Sequence, residues 1–163
     1  MRGHERQTRF ELTYLFKEIG DPSPEVDKTG IKGLVVAKTI FSPIDAIEKL
    51  RAILQEKAFE FRYSLRILPI EKVVRTNLED VEKAATDLSS SMKPEETFRV
   101  TVEKRFTSIH SRDFIEAAVK NIENKVNLDN PDRILLIEVL GGFTGISLIK
   151  PNYILNVQKE KML

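Results

Sequence analysis

Lys104 and Arg105, followed after a short gap by Ser111 and Arg112, are the residues of this 163-residue chain whose types and spacing most readily do chemistry. Two adjacent cations beside the start of a helix gather positive charge around backbone amides that have no intrahelical acceptor, and that is phosphate-binding chemistry. On composition alone the same residues suit a solvated sheet rim, paired with Glu103 or Asp113. Lys150 offers another phosphate contact, and Tyr153 offers either a stacking ring or a packing side chain. Arg99 lies earlier on the strand that ends in Lys104 and Arg105, facing away from Val100. Ser108, His110 and Asp113 have the residue types of a nucleophile, base and acid, but their closeness in sequence sets no triad geometry. Asp113 fits better as an acid in the first turn of a helix. Gly141 and Gly142 precede neither a helix nor a Lys-Ser/Thr pair, so they read as a hairpin turn and not as a phosphate loop.

The elements that must position these residues are legible in the hydrophobic pattern. Phe98, Val100, Val102 and Phe106 alternate with Arg99, Thr101, Glu103 and Arg105, which predicts a strand with one dry face. Ser111 stands at an N-cap position, and Phe114, Ile115, Ala118, Val119, Ile122 and Val126 recur at helical spacing over about four turns. The tract NLDNPD from Asn127 to Asp132 is turn chemistry. Ile134, Leu135, Leu136 and Ile137 then form the continuous apolar run of a central strand covered on both faces. Strand, helix, strand makes a parallel βαβ unit, and Phe143 to Ile149 is expected to return antiparallel after the glycine turn.

The chain contains no cysteine, which excludes disulfides, thiolate nucleophiles and cysteine-ligated zinc. Its two histidines, His4 and His110, share no helical face with another strong ligand, so no metal site is expected. No apolar run approaches the ~18 residues of a membrane span, and the first residues lack a signal-peptide core. A soluble, cytoplasmic protein without a cofactor is expected. The 26 basic and 25 acidic residues nearly cancel, so any nucleic-acid site must be a local patch.

Before the central stretch, Arg2, Arg6 and Arg9 form a basic tail read as a frayed end with a phosphate contact as the alternative. Phe10, Leu12, Tyr14 and Phe16 alternate and predict a first strand over Phe10 to Ile19. Gly20 to Gly30 reads as a loop and Lys32 to Phe41 as a second strand. Ser42, Pro43 and Asp45 are a helix start signal ahead of Ile44, Ile47, Leu50, Ile53 and Leu54. Phe59 to Leu68 predicts a returning strand. Pro69 marks the expected boundary between a unit at 1–68 and one at 69–163. The second begins with a strand over Ile70 to Arg75 and a helix capped by Asn77 with Val81, Ala84, Ala85 and Leu88 buried, which makes it βαβαββ. Pro151 to Leu163 is expected to hold a last strand and a frayed end.

The ordered pieces ILPIEKVVRT, ETFRVTVEKR, the SRD helix start, NPDRILLIEVL and GISLIK together resemble the THUMP domain, in particular the branch of stand-alone adaptors for tRNA cytidine acetylation. The resemblance covers roughly Leu68 to Tyr153. It implies an α+β architecture with an N-terminal ferredoxin-like unit followed by the THUMP domain, a mixed sheet with helices. It also implies a noncatalytic protein that grips the acceptor end of tRNA and presents a D-arm cytidine of leucine and serine tRNAs to a separate RNA cytidine acetyltransferase. Acetyl-CoA and ATP would be used by that partner. Matching the family's KR and SRD positions favours RNA for Lys104, Arg105, Ser111 and Arg112. Thr144 stands where relatives often have cysteine, a difference expected to affect packing and not binding, and the N-terminal unit shows no first helix between its first two strands. Two other functions compete: a hydrolase or nuclease built from assembled carboxylates, and an interaction protein whose open sheet face makes a homodimer. Service to a different RNA-modifying enzyme is a further alternative.

Overall fold

The computed structural model describes residues 3–162. Arg2 of the expected basic tail lies outside them. The chain divides into two compact units, Met1–Pro69 with Asn152–Leu163, and Ile70–Pro151.

The first unit opens with helix α1 (Glu5–Glu18) where a frayed tail and a strand are expected. The alternating pattern misleads because Phe10 and Tyr14 are solvent-facing, 65% and 45% exposed, while Thr8, Leu12, Leu15 and Phe16 are buried. Those buried positions follow the helical period, and no proline or glycine interrupts the segment. The predicted loop contains strand β1 (Glu25–Lys28), which pairs antiparallel with β2 (Val35–Lys38). Helix α2 (Pro43–Glu56) starts where expected, Ser42 accepting a hydrogen bond from the Asp45 amide at 3.2 Å. The strand predicted over Phe59–Leu68 shrinks to β3 (Arg66–Ile67) after a 3₁₀ turn at Ala58–Glu60. The Glu11 carboxylate accounts for this, accepting the amides of Arg62 (2.5 Å), Tyr63 (3.0 Å) and Ser64 (2.7 Å), donors that a strand ladder would otherwise use.

The second unit has the expected βαβαββ order. Strand β4 (Lys72–Arg75) leads to helix α3 (Leu78–Ser89), with Asn77 accepting from the Asp80 amide at 2.8 Å. Strand β5 (Phe98–Arg105), helix α4 (Ser111–Val119), strand β6 (Arg133–Leu140) and strand β7 (Phe143–Ile149) follow. The sheet order is β4-β7-β6-β5, with β5 and β6 parallel and the other neighbours antiparallel. Val81, Ala84 and Ala85 of α3 and Phe114 and Ala118 of α4 pack with Phe98, Leu135, Ile137, Val139, Ile146 and Leu148 in one core.

Four details depart from the pattern. Helix α4 is nine residues long, not four turns, because Asn121 bonds Glu82 and Thr86, and Asn124 donates to the carbonyls of Lys93 and Glu96. Val126 instead bridges to Phe98 in parallel. Phe106 does not extend the dry strand face: it follows β5 at φ 55° and is 79% exposed. Of the two turn glycines only Gly141 has positive φ, 61°, and it occupies the first central position as a II′ turn requires. Thr144 is fully buried and its hydroxyl lies 2.8 Å from that of Thr76.

The chain ends by returning to the first unit. Strand β8 (Leu155–Asn156) pairs antiparallel with β3, and helix α5 (Val157–Lys161) replaces the frayed end. Leu155 and Val157 join Leu12, Leu15, Phe16, Ile47, Leu50, Leu54 and Phe61 in that unit's core. The first unit is therefore discontinuous in sequence, and its strands form two separate two-stranded sheets. Among the described residues no helix is long and apolar enough to cross a membrane.

Two predictions test this architecture. Glu11→Ala should lower stability by about 1.5–3 kcal/mol, since it leaves three loop amides without their acceptor; an unchanged urea midpoint would contradict it. Asp21 is buried, and the Thr39 hydroxyl (2.7 Å), with the amides of Ser23 (2.9 Å) and Ile40 (3.1 Å), holds its carboxyl below the usual range. A depressed carboxylate contributes stability above its unfolded pKa of ~3.9 that is lost as pH falls through the folded value. Acid unfolding should therefore be less pH-dependent in Asp21→Asn than in the parent below about pH 4, measured by circular dichroism at graded denaturant.

Candidate nucleic-acid interface

The parallel crossover from β5 through α4 brings one end of the strand and the start of the helix together. The Lys104 ammonium donates to the Ile109 carbonyl at 3.1 Å, and the Ile109 amide donates to the Thr107 hydroxyl at 3.2 Å, folding the loop back on the strand end. Helix α4 begins at Ser111, with His110 in the cap position and no side-chain cap, so Ser111 is the first helical residue and not the cap. The amides of Asp113 and Phe114 reach the His110 carbonyl at 3.0 and 3.3 Å. Lys104 and Arg112 are exposed, and Ser111 is half-buried between them in sequence. Arg112 pairs with Glu116 one turn on at 3.0 Å with both side chains largely in water, a pairing worth a few tenths of a kcal/mol.

Arg105 is different. It holds Glu138 of β6 at 2.9 Å, with the glutamate side chain only 9% exposed. A buried carboxylate without a cation is costly, so this arginine is committed to the sheet.

The other expected site residues lie elsewhere. Arg99 pairs with Ile134 in register, and Ile134 pairs with Ile149, the residue before Lys150. Arg99 and Lys150 therefore mark the opposite end of the sheet from Lys104, about 15–20 Å along the strand. Arg99 donates to the Leu128 carbonyl at 3.1 Å. Tyr153 ends a 3₁₀ turn, Pro151–Tyr153, is half-buried, and belongs to the first unit. The sequence-predicted residues thus form one exposed pair of cations with Ser111 near a helix start, one structural arginine, Arg99 with Lys150 at the far sheet end, and Tyr153 in the first unit.

The register also aligns a row with no signature in the sequence: Arg75, Phe143, Leu140 and Arg105 are consecutive partners across all four strands. Phe143 is 62% exposed. Only the strand pairing could have revealed it. Among the described residues no side-chain hydrogen bond joins Ser108, His110 and Asp113, and no cluster of three or more metal-ligating side chains occurs.

A family model for the THUMP domain matches residues 75–149. The Mus musculus THUMP domain-containing protein 1 is 28% identical over 163 aligned residues, covering 86% of this chain and 46% of that protein. The Drosophila melanogaster THUMP domain-containing protein 1 homolog is 32% identical over 101 residues, covering 57% of this chain and 31% of that protein. The chain thus spans less than half the length of these relatives. Among solved structures, PH1313 from Pyrococcus horikoshii is similar with a TM-score of 0.67 at 20% identity, over 92% of this chain and 51% of that one. A 4-thiouridine synthetase in complex with RNA and ATP is similar with a TM-score of 0.53 at 17% identity, over 92% of this chain and 39% of that one. At these identities the two structures establish the fold.

The distinction between Arg105 and Arg112 is measurable without any ligand. Arg105→Ala should cost about 2–3 kcal/mol by removing the cation that pairs with the buried Glu138 carboxylate, whereas Arg112→Ala should stay within about 0.5 kcal/mol of the parent. Equal urea midpoints for the two variants would remove the structural assignment of Arg105.

Proposed function

From the premise that residues 75–149 of this chain form a THUMP domain, we propose that the protein binds tRNA and presents it to a separate enzyme, an RNA cytidine acetyltransferase, without catalysing the modification itself. The observation that carries this reading is the domain match together with the exposed cations it encloses, Lys104 and Arg112, at the uncapped start of α4. Two mammalian and insect relatives are THUMP domain-containing proteins by name, and a protein of similar fold was crystallised as a 4-thiouridine synthetase–RNA complex. The site's chemistry supports the binding part of the reading: exposed cations and helix amides stabilise phosphate.

In this reading Lys104 and Arg112 neutralise backbone phosphates while the amides at the start of α4 add partial positive charge. Arg105 fixes the end of β5 from which Lys104 projects. Arg99 and Lys150 meet RNA at the other end of the sheet, so the contact is spread along the domain. Phosphate contacts of this kind position the RNA and carry no sequence preference.

Binding of folded tRNA at 50 and 200 mM salt tests the reading, with the D-arm acetylation assay run alongside. The substitution pair Lys104→Ala with Arg112→Ala should weaken binding to different tRNAs about equally and reduce the slope of log affinity against log salt by about 1.5–2. Acetylation by the partner enzyme should require the protein and fall with the same variant. No tRNA binding would overturn the whole reading, and binding with acetylation unaffected by the protein would overturn only its acetyltransferase part.

A further inference from the structure

We propose that the first unit carries a groove for single-stranded RNA between α1 and β1, distinct from the cations of the THUMP domain; the inference rests on the RNA-binding reading above. The groove has a volume of about 360 Å³ and is lined by Arg6, Arg9, Phe10, Thr13, Val26 and Lys28. Three of these side chains are cations, one is an exposed aromatic ring, and none is an acid.

The fold produces this collection from residues that look unrelated in sequence. Once residues 5–18 are helical, Arg6, Arg9, Phe10 and Thr13 recur at the spacing of one helix face. On β1 the strand alternation turns Val26 and Lys28 to one side and Glu25 and Asp27 to the other. The Arg9 Nε donates to the Val26 carbonyl at 3.0 Å, which fixes the guanidinium between helix and strand. The Arg6 guanidinium sits 5.7 Å from the centre of the Phe10 ring.

Of the neighbouring acids, Glu25 and Asp27 lie on the other side of β1 from Lys28, and the two on α1 are occupied elsewhere. Glu5 accepts the Gly33 amide at 2.5 Å, and Glu11 accepts the amides of residues 62–64. Among the described residues, Arg6, Arg9 and Lys28 make no ion pair, although the chain has nearly as many acids as bases. Three unneutralised cations beside a ring that is 65% exposed have a specific complement. Cations tracking a phosphate backbone while a ring accepts an unstacked base is how proteins hold single strands; a duplex keeps its bases stacked and offers the ring nothing. A groove of this volume is at the small end of ligand-sized clefts, which fits contact with one or two nucleotides.

The test uses the full chain with a short oligouridylate, a blunt RNA duplex and folded tRNA. Phe10→Ala should lower affinity for the oligouridylate about ten- to hundredfold and leave the duplex nearly unchanged. Arg6→Glu with Lys28→Glu should weaken both, more steeply at low salt. Neither of those two side chains donates a hydrogen bond or ion pair to another described residue, so this variant folds independently of the result. If the parent binds tRNA and both variants bind every RNA as the parent does, the groove is overturned while the proposed function stands. If the parent binds no RNA at all, both fall together.

Discussion

The burial of β6 on both faces is the constraint from which the second unit follows. Every residue from Ile134 to Val139 is buried, including Glu138. A strand with no wet face cannot lie at a sheet edge, so it takes β5 on one side and β7 on the other. Its connection to β5 is parallel and needs a crossover, which α4 supplies by packing Phe114 and Ala118 over the same core as α3. That crossover places the end of β5 beside the start of α4. The proximity of Lys104 and Arg112 to uncapped helix amides is thus a consequence of where β6 must sit.

The same burial explains why Arg105 is unlike its neighbours. Glu138 pairs with Gly145 on one side and Glu103 on the other, with aliphatic residues at every other position from Ile134 to Leu140. Gly145 is itself tightly covered, since a Cβ there would come within 2.9 Å of Ile70. A carboxylate in that position requires a cation close by, and Arg105 reaches it diagonally from β5. Adjacent cations on one strand therefore have opposite duties: Arg105 turns to the sheet and compensates a buried charge, and Lys104 stays in water and bonds a loop carbonyl.

Local signals were legible wherever one residue type has one dominant use. Ser42 with Pro43, Asn77, the period-two pattern of β5 and the apolar run of β6 each specify their element without help from distant parts of the chain. The reading failed where tertiary contacts override a pattern. Phe10 and Tyr14 mimic strand alternation because two aromatic side chains of α1 face solvent. Helix α4 ends early because Asn121 and Asn124 find partners on other segments. The segment from Asn152 onward rejoins the first unit through the two residue pairs of β8 with β3, which no nearby residue announces. The site was legible only in part for a related reason. Residue type marks a cation, but only register shows that Arg99 and Lys150 share a sheet end remote from Lys104, and only the buried environment of Glu138 shows that Arg105 is already engaged.

Near-neutral overall charge makes this division of cations consequential. With 26 basic against 25 acidic residues, long-range attraction to RNA is weak, so affinity depends on which individual cations are left without an acid. Here the sheet and helices neutralise selectively. Arg51 is tied to Glu160, Arg105 to Glu138 and Arg133 to Glu96 in partly or largely buried settings. Those pairs serve folding. Arg6, Arg9, Lys28 and Lys104 have no such pair, and Arg112 has only an exposed one that phosphate can displace at little cost. A protein can therefore be electrically balanced as a whole and still present phosphate sites, provided its acids are consumed by the fold.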